Sequence, residues 1–354
     1  MTQIISFPGL GINGLELNST AFSIFGLDIA WYALIITFGM ILAVAYTIWR
    51  ASEVGISYEE IIDFAIFVIP FGILGARLYY VLCELDQYSS FWEIFNIRNG
   101  GLAIYGGIIA GAVTVYVVCR IKKISFPALG DCIVPGLILA QAIGRWGNFV
   151  NVEAFGSVTS APWRMSGNSI ASYLLRGGQI DAVEYIGILN GSLGVHPTFF
   201  YESLWNIVGF VAINFFYKHR KYDGQVILMV FGWYGLGRAW IEGLRTDSLY
   251  IPGTGIRVSQ LLAILIFVAC LGLLIYFIVK PPKKSLYFKE KPVVADGDNC
   301  EPKEKVTKKT AKVAVDKAPT SGKAEIKKTE PGAESVKPTD SESIDGGADT
   351  NDVQ

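Results

Sequence analysis

The sequence predicts an all-α, polytopic membrane protein with about seven spanning helices, a small cap outside the membrane and a disordered cytoplasmic tail. Three observations predict it. Of 354 residues, 52% are hydrophobic and the mean hydropathy is +0.42, too apolar for a soluble domain of this size. The apolar residues gather into seven runs long enough to cross a bilayer as helices. The net charge of −1 hides a division of the chain, with dense charge after Lys280 and hydrophobic runs before it.

A bilayer core of ~30 Å takes about 20 apolar residues in a helix, because hydrocarbon offers no partner to an unpaired backbone group. The first run, Ile29–Trp49, follows no basic stretch and no A-x-A-like cleavage site, so it reads as a retained span and not a signal peptide. The second, Ile61–Leu82, contains Pro70, Gly72 and Gly75. The third, Gly101–Cys119, opens on a glycine-rich stretch, and the fourth, Pro127–Trp146, contains Pro135 and Gly136. Pro197–Tyr217, Gly224–Ile241 and Val258–Val279 complete the set. Gly and Pro inside spans suit close helix packing or local unwinding beside a cavity.

Alternate connections differ in basic charge. Arg50, the Arg120–Lys123 cluster, the Lys218–Lys221 cluster and Lys280–Lys284 fall on one side; the other carries only Arg98, Arg164, Arg176 and Arg245, with Arg257 at a border. The positive-inside rule then puts the N-terminus outside and the C-terminus in the cytoplasm. Residues 1–280 form the membrane domain, in which 147–195 is too polar to span and too long for a simple turn, hence the cap. Residues 281–354 are rich in Lys, Glu, Asp, Thr, Ser and Pro and nearly devoid of aromatics. Such a composition cannot bury enough apolar surface to offset chain entropy, so a disordered tail is expected.

Charged residues within spans default to functional hypotheses. With this orientation Tyr32, Arg77, Tyr105, Arg145, Asn148, Tyr201, Glu202, Arg238 and Glu242 all fall towards the outer ends of their helices. Asp63 and Asp131 lie at inner ends and read as interfacial or helix-pairing residues. Two patterns are dense. Gly144–Gly156 carries Arg145, Asn148, Asn151 and Glu153 among three glycines where a span leaves the membrane. Arg238, Glu242 and Arg245 are spaced i, i+4, i+7, so in a continuous helix they share one face and Glu242 can hold both guanidinium groups; a salt-bridge ladder at the headgroup level explains that triplet equally well. The glycines around Tyr105 suit either tight helix packing or admission of an acyl chain or extended peptide.

Arginine supplies a planar, multi-donor cation suited to a phosphate diester. Cys83, Cys119, Cys132, Cys270 and Cys300 show no metal-ligand spacing and no disulfide framework. No metal motif appears, no cofactor is expected, activity is expected to be insensitive to chelators, and nothing points to nucleic acid.

The sequence resembles the prolipoprotein diacylglyceryl transferases of bacterial plasma membranes. The resemblance rests on Gly144, Arg145, Gly147, Asn148, Phe149, Asn151, Glu153 and Gly156. It is supported by Trp31-Tyr32, Gly100-Gly101 to Gly106-Gly107, His196-Pro197 with Tyr201-Glu202, and Gly237-Arg238 through Glu242 to Arg245. It runs in order from about Leu27 to Val279. It implies transfer of a diacylglyceryl group from phosphatidylglycerol to the lipobox cysteine thiol of a prolipoprotein signal peptide at the outer membrane face, releasing glycerol 1-phosphate. By this analogy Arg145 and Arg238 are the essential arginines, with Tyr32, Asn148, Glu153, Gly156, Glu242 and Arg245 supporting them and membrane lipids surrounding the site. Where many members of the family carry His, this chain has Tyr105; a base at Tyr105, Glu153, Glu242 or His196, or a thiolate stabilised by the arginine field, all remain open. The expected geometry has Arg145 and Arg238 held by Glu153 and Glu242.

Two other classes fit less well. An anion transporter would place its site near the midplane and show repeated halves. An intramembrane serine protease needs a histidine partner, and His196 and His219 fall on opposite sides.

Overall fold

The structure, a computed structural model, describes residues 2–88, 90–96, 100–246, 248, 250–251 and 253–282. The expected tail lies outside the described residues from 283 onward. The described chain is mostly helical. It opens on β1 (Thr2–Phe7), β2 (Ile12–Asn18), β3 (Thr20–Ile24) and β4 (Leu27–Ala30), two antiparallel hairpins that the search for apolar runs passes over. The long helices follow: α1 (Trp31–Ser52), α2 (Tyr58–Cys83), α3 (Ile104–Lys122) and α4 (Phe126–Asn151). After a compact segment containing β5 (Val158–Thr159), α5 (Asn168–Arg176), α6 (Ala182–Leu189) and β6 (Gly194–Val195) come α7 (Thr198–Tyr217), α8 (Gln225–Ile241) and α9 (Val258–Val279).

Six of these helices, α1, α2, α3, α4, α7 and α9, are long and apolar enough to cross a membrane. The chain is therefore an integral membrane protein. The remaining expected span, α8, has 17 residues, at the short limit for crossing hydrocarbon. The ends shift by a few residues from the sequence reading. The largest shift is in α4, which runs on to Asn151 instead of stopping at Trp146, so that Arg145 and Asn148 stand one turn apart on a helix.

Small residues set the closest helix crossings. A Cβ on Gly136 of α4 would lie 2.9 Å from the Ala43 carbonyl oxygen of α1, and one on Gly75 of α2 would lie 2.1 Å from the Ala110 Cβ of α3. Without a hydrophobic drive between helices in lipid, such backbone approach is a main source of packing. A Cβ on Gly106 would likewise lie 2.3 Å from the Gly75 carbonyl oxygen, so at Gly106 the glycine run beside Tyr105 serves helix packing.

Opposite the end where α4 stops and α7 starts, charges tie helices together. Lys122 of α3 pairs with Asp63 of α2 at 2.6 Å. Asp131 of α4 accepts from the backbone N–H groups of Gly224 and Ile227 at 2.8 and 2.9 Å, capping the start of α8 from a neighbouring helix. Both aspartates are thus helix-pairing residues. At the first end, Ile5 and Leu17 of the N-terminal hairpin share a buried core with Val152, Phe155, Met165, Ile170, Leu174, Ile188, Val195 and Phe199. The Ser6–Ser166 backbone pair joins the hairpin to the segment between α4 and α7, so that small unit is built from two distant stretches of chain.

A candidate active site where α1, α4, α7 and α8 meet

The last turns of α4 carry the first part of the site. Arg145 Nη1 donates to Asn148 Oδ1 at 3.1 Å, and Asn148 Nδ2 donates to Glu153 Oε1 at 2.8 Å. Glu153 is exposed on a turn whose neighbours, Val152 and Ala154, have φ of 52° and 56°. Left-handed backbone at a residue with a Cβ costs of order 1–3 kcal/mol. Surrounding bonds hold the turn: Glu153 N–H donates to the Asn148 carbonyl at 3.0 Å, and the Thr198 hydroxyl donates to the Ala154 carbonyl. Tyr32, in the first turn of α1, lays its ring against Gly147, where a Cβ would lie 2.6 Å from Cδ2. Its hydroxyl lies in the electrostatic field of Glu153 and Arg145.

The second part centres on Glu202 of α7, which is 5% exposed. Its carboxylate meets three guanidinium groups: Arg145 Nη2 at 2.7 Å, Arg238 Nη1 at 3.0 Å and Arg245 Nη1 at 3.4 Å. Glu242, 2% exposed, pairs with Arg238 Nη2 at 2.5 Å. Three guanidinium groups from α4, α8 and the turn after it thus converge on one buried carboxylate. Buried charges persist only when paired, and several multi-donor guanidinium heads held at one place suit a phosphate.

Two expectations are corrected here. Arg145 is held by Glu202 and not by Glu153, which reaches it through Asn148. The shared helix face of Arg238, Glu242 and Arg245 does not form, because α8 stops at Ile241 and Glu242–Leu244 is a 3-10 turn. That turn leaves Glu242 on Arg238 and swings Arg245 towards Glu202. The sequence sets Glu202 among the polar residues at helix ends but does not reveal it as the common partner of three arginines. The available signal was a carboxylate in an otherwise apolar span, which requires cations from elsewhere.

Gly156 lies where three segments cross. Its N–H donates to the His196 carbonyl at 2.9 Å, it pairs with Arg245 in an antiparallel bridge, and the next N–H donates to the Leu244 carbonyl at 2.7 Å. A Cβ there would lie 2.8 Å from His196 Cβ and 2.9 Å from the Leu244 oxygen. Gly156→Ala is therefore expected to push the Arg245 turn away from α7. Overpacking of this kind destabilises by about 1–3 kcal/mol, and a ~1 Å displacement in a site can slow turnover ~10²-fold. A variant with parental turnover and thermal midpoint would show that the chain crossing at position 156 does not set the site.

Among the described residues, the side chains of Tyr105, Arg77 and His196 make no hydrogen bond or ion pair with the Glu202 cluster. Tyr105, half-exposed in the first turn of α3, makes no side-chain hydrogen bond among the described residues. Arg77 is buried, but all five of its N–H groups are taken by backbone carbonyls of Glu93, Ile94, Asn96, Gly100 and Gly101. It fastens the connection between α2 and α3 and has no donor left for a ligand. His196 Nδ1 lies 3.0 Å from the Tyr201 hydroxyl, which also accepts from Trp163 at 2.5 Å. Burial pushes the His196 imidazole below its ordinary value, which makes it a weaker base.

Comparison with known proteins adds a family. The family model described as prolipoprotein diacylglyceryl transferase matches residues 19–276. A phosphatidylglycerol–prolipoprotein diacylglyceryl transferase from Finegoldia magna is 44% identical over 255 residues, covering 72% of this chain and 93% of that protein. The enzyme of the same name from Clostridioides difficile is 40% identical over 250 residues, covering 70% and 91%. One from Clostridium perfringens is 40% identical over 270 residues, covering 76% and 97%.

Proposed function

The chain belongs to the prolipoprotein diacylglyceryl transferase family, and from that premise we propose that the arginines gathered on Glu202 bind and activate the lipid donor. The protein is a transferase that moves the diacylglyceryl group of phosphatidylglycerol onto prolipoproteins, the first step of lipoprotein maturation. The acceptor is the thiol of a lipobox cysteine. The enzyme sits in the bacterial plasma membrane with seven spans, its N-terminus and the residue 147–195 cap outside and its C-terminus inside, and the reaction takes place towards the outer face. The positive-inside pattern supports that orientation.

In the reaction, the thiolate attacks the glycerol carbon that bears the phosphate ester. A C–S bond forms, the C–O bond breaks, and its electron pair leaves with glycerol 1-phosphate. Negative charge grows on the phosphate oxygens at the level of Arg145 and Arg238. Because Glu202 and Glu242 hold these guanidinium groups before substrate arrives, they stabilise that charge without reorganising, in a medium of low dielectric. Tyr32 and Asn148 line the approach to Arg145, Arg245 adds a third cation, and Gly156 admits the close chain crossing that sets them. Lipid and peptide enter sideways, between helices.

A free thiol with pKa about 8.5 is only slightly ionised near neutrality. Glu153 is the acid group best placed to take its proton, since it is exposed, linked through Asn148 to Arg145 and carried on a strained turn. Glu242 is buried in an ion pair and less suited. Glu153→Gln is expected to slow transfer at least ~10²-fold, whereas Tyr105→Phe keeps near-parental turnover. Single-turnover rates of the two variants decide between them; the reverse pattern returns the proton to Tyr105.

The observation that carries the functional reading is the convergence of three guanidinium groups on Glu202. Its test is incubation of the purified protein with phosphatidylglycerol and a lipobox peptide, followed by mass analysis for a thioether-linked diacylglyceryl adduct, with a Cys-to-Ser peptide as control. A folded, lipid-supplied preparation that leaves the peptide mass unchanged overturns the reading.

A further inference from the structure

Below the arginine site, α7 and α8 are joined by two tryptophans in a reciprocal arrangement. Trp205 Nε1 of α7 donates to the Trp233 carbonyl of α8 at 3.0 Å, and Trp233 Nε1 donates back to the Trp205 carbonyl at 2.9 Å. The rings stack with centroids 4.4 Å apart and planes 20° from parallel. In each helix that carbonyl already receives the N–H of the residue four positions on, which is Gly209 after Trp205 and Gly237 after Trp233. A carbonyl has two lone pairs, so the indole can take the second only by approaching over that fourth residue. Both of those residues are buried glycines. A Cβ on Gly237 would lie 2.1 Å from Trp205 Nε1, and one on Gly209 would lie 2.2 Å from Trp233 Nε1.

The pair fixes one degree of freedom, the slide of α8 along α7. A shift of one residue moves the helix by about 1.5 Å and breaks both indole bonds at once, in a setting where hydrocarbon leaves a freed N–H without a substitute. The pair also lies next to the charges. Trp205 follows Glu202 by less than a turn, and Gly237 immediately precedes Arg238. Glu202, Trp205, Gly237 and Arg238 line the same small gap between the helices.

We propose that Trp205 and Trp233 form a clamp between α7 and α8 whose Trp205–Gly237 half holds Arg238 at its distance from Glu202, which makes Trp205 a positioning residue for the transfer reaction, while the Trp233–Gly209 half serves helix packing. This rests on the reading that Arg238 stabilises the leaving phosphate. The clamp has two matching halves at different distances from the site. The half made by Trp205 and Gly237 adjoins Arg238; the half made by Trp233 and Gly209 lies about a turn deeper. Gly237→Ala and Gly209→Ala introduce near-identical clashes, so they isolate position from stability.

Each variant of the full chain is reconstituted with phosphatidylglycerol; its thermal midpoint is measured, and kcat and KM are determined with a lipobox peptide. The midpoints are expected to fall by similar amounts. Gly237→Ala lowers kcat about 10²-fold, the scale of a ~1 Å misplacement, with KM little changed, and Gly209→Ala stays within about threefold of the parent on the same scale. Equal losses of kcat in both variants, or no loss in either, overturn the clamp as a positioning device. If the alanine variants do not fold, Trp205→Phe and Trp233→Phe each remove one indole bond while keeping a ring, and the same inequality is expected. A parent that makes no thioether product at all sinks the transferase reading instead, a result separate from any difference between the paired variants.

Discussion

Glu202→Gln is expected to cause the largest single loss in this protein, in stability and in turnover together. The carboxylate is 5% exposed and bridges Arg145, Arg238 and Arg245. The amide keeps the shape but removes the charge, so Arg145, Arg238 and Arg245 all lose the buried carboxylate on which they meet. Breaking a buried ion pair by removing one partner typically costs about 3–5 kcal/mol. The kinetic effect follows from the same geometry: without their common anchor, Arg145 on α4 and Arg238 on α8 lose the fixed spacing on which transition-state stabilisation depends, and removal of one preorganised donor is already worth roughly 10²–10³ in rate. Thermal unfolding in lipid and single-turnover transfer provide the two measurements. A variant that unfolds at the parental midpoint and transfers at the parental rate would show that Glu202 merely neutralises charge at the surface of the site.

That residue also marks how far the sequence could be read. Local rules placed the long helices well: α9 occupies Val258–Val279, the span expected from its unbroken apolar run, and the dense Gly144–Gly156 pattern does end α4 and turn into the site. These signals are carried within one stretch of chain. Glu202 is 36 residues from Arg238 and 43 from Arg245, and no periodicity links positions that far apart on different elements. The i, i+4, i+7 argument for Arg238, Glu242 and Arg245 failed for a related reason. It assumed a helix through Arg245, whereas the backbone is diverted at Glu242 into a 3-10 turn and pairs with Gly156, a contact made by tertiary structure. The N-terminal hairpins were partly legible. Residues 2–30 alternate short apolar stretches with Gly11, Gly14 and Gly26, all at positive φ, a strand-and-turn pattern overshadowed by the helical runs that follow. At Tyr105 the sequence left packing and binding open, and the Gly75–Gly106 approach decides for packing along that part of the helix.

The second large effect concerns the shape of the cation. Arg238→Lys preserves a positive charge but is expected to lower transfer by roughly 10²–10³, comparable to removing a preorganised donor outright. The reason is the fork. Nη1 of Arg238 meets Glu202 at 3.0 Å while Nη2 meets Glu242 at 2.5 Å, so one planar group spans two carboxylates and remains oriented between them. An ammonium is a compact, strongly hydrated point charge on a flexible stem, and it cannot face both carboxylates in that geometry and also present a donor to a phosphate. Arg145→Lys should follow the same rule, since Nη1 reaches Asn148 and Nη2 reaches Glu202; loss of the first contact releases the link to Glu153, and loss of the second frees Arg145 from its carboxylate anchor. Both lysine variants should keep a thermal midpoint closer to the parent than Glu202→Gln does, because the charge count of the cluster is unchanged. The discriminating measurement is kcat at saturating phosphatidylglycerol beside the midpoint. Lysine variants with parental kcat would mean that the site needs only net positive charge, and the assignment of two oriented guanidinium groups to the departing phosphate would have to be given up.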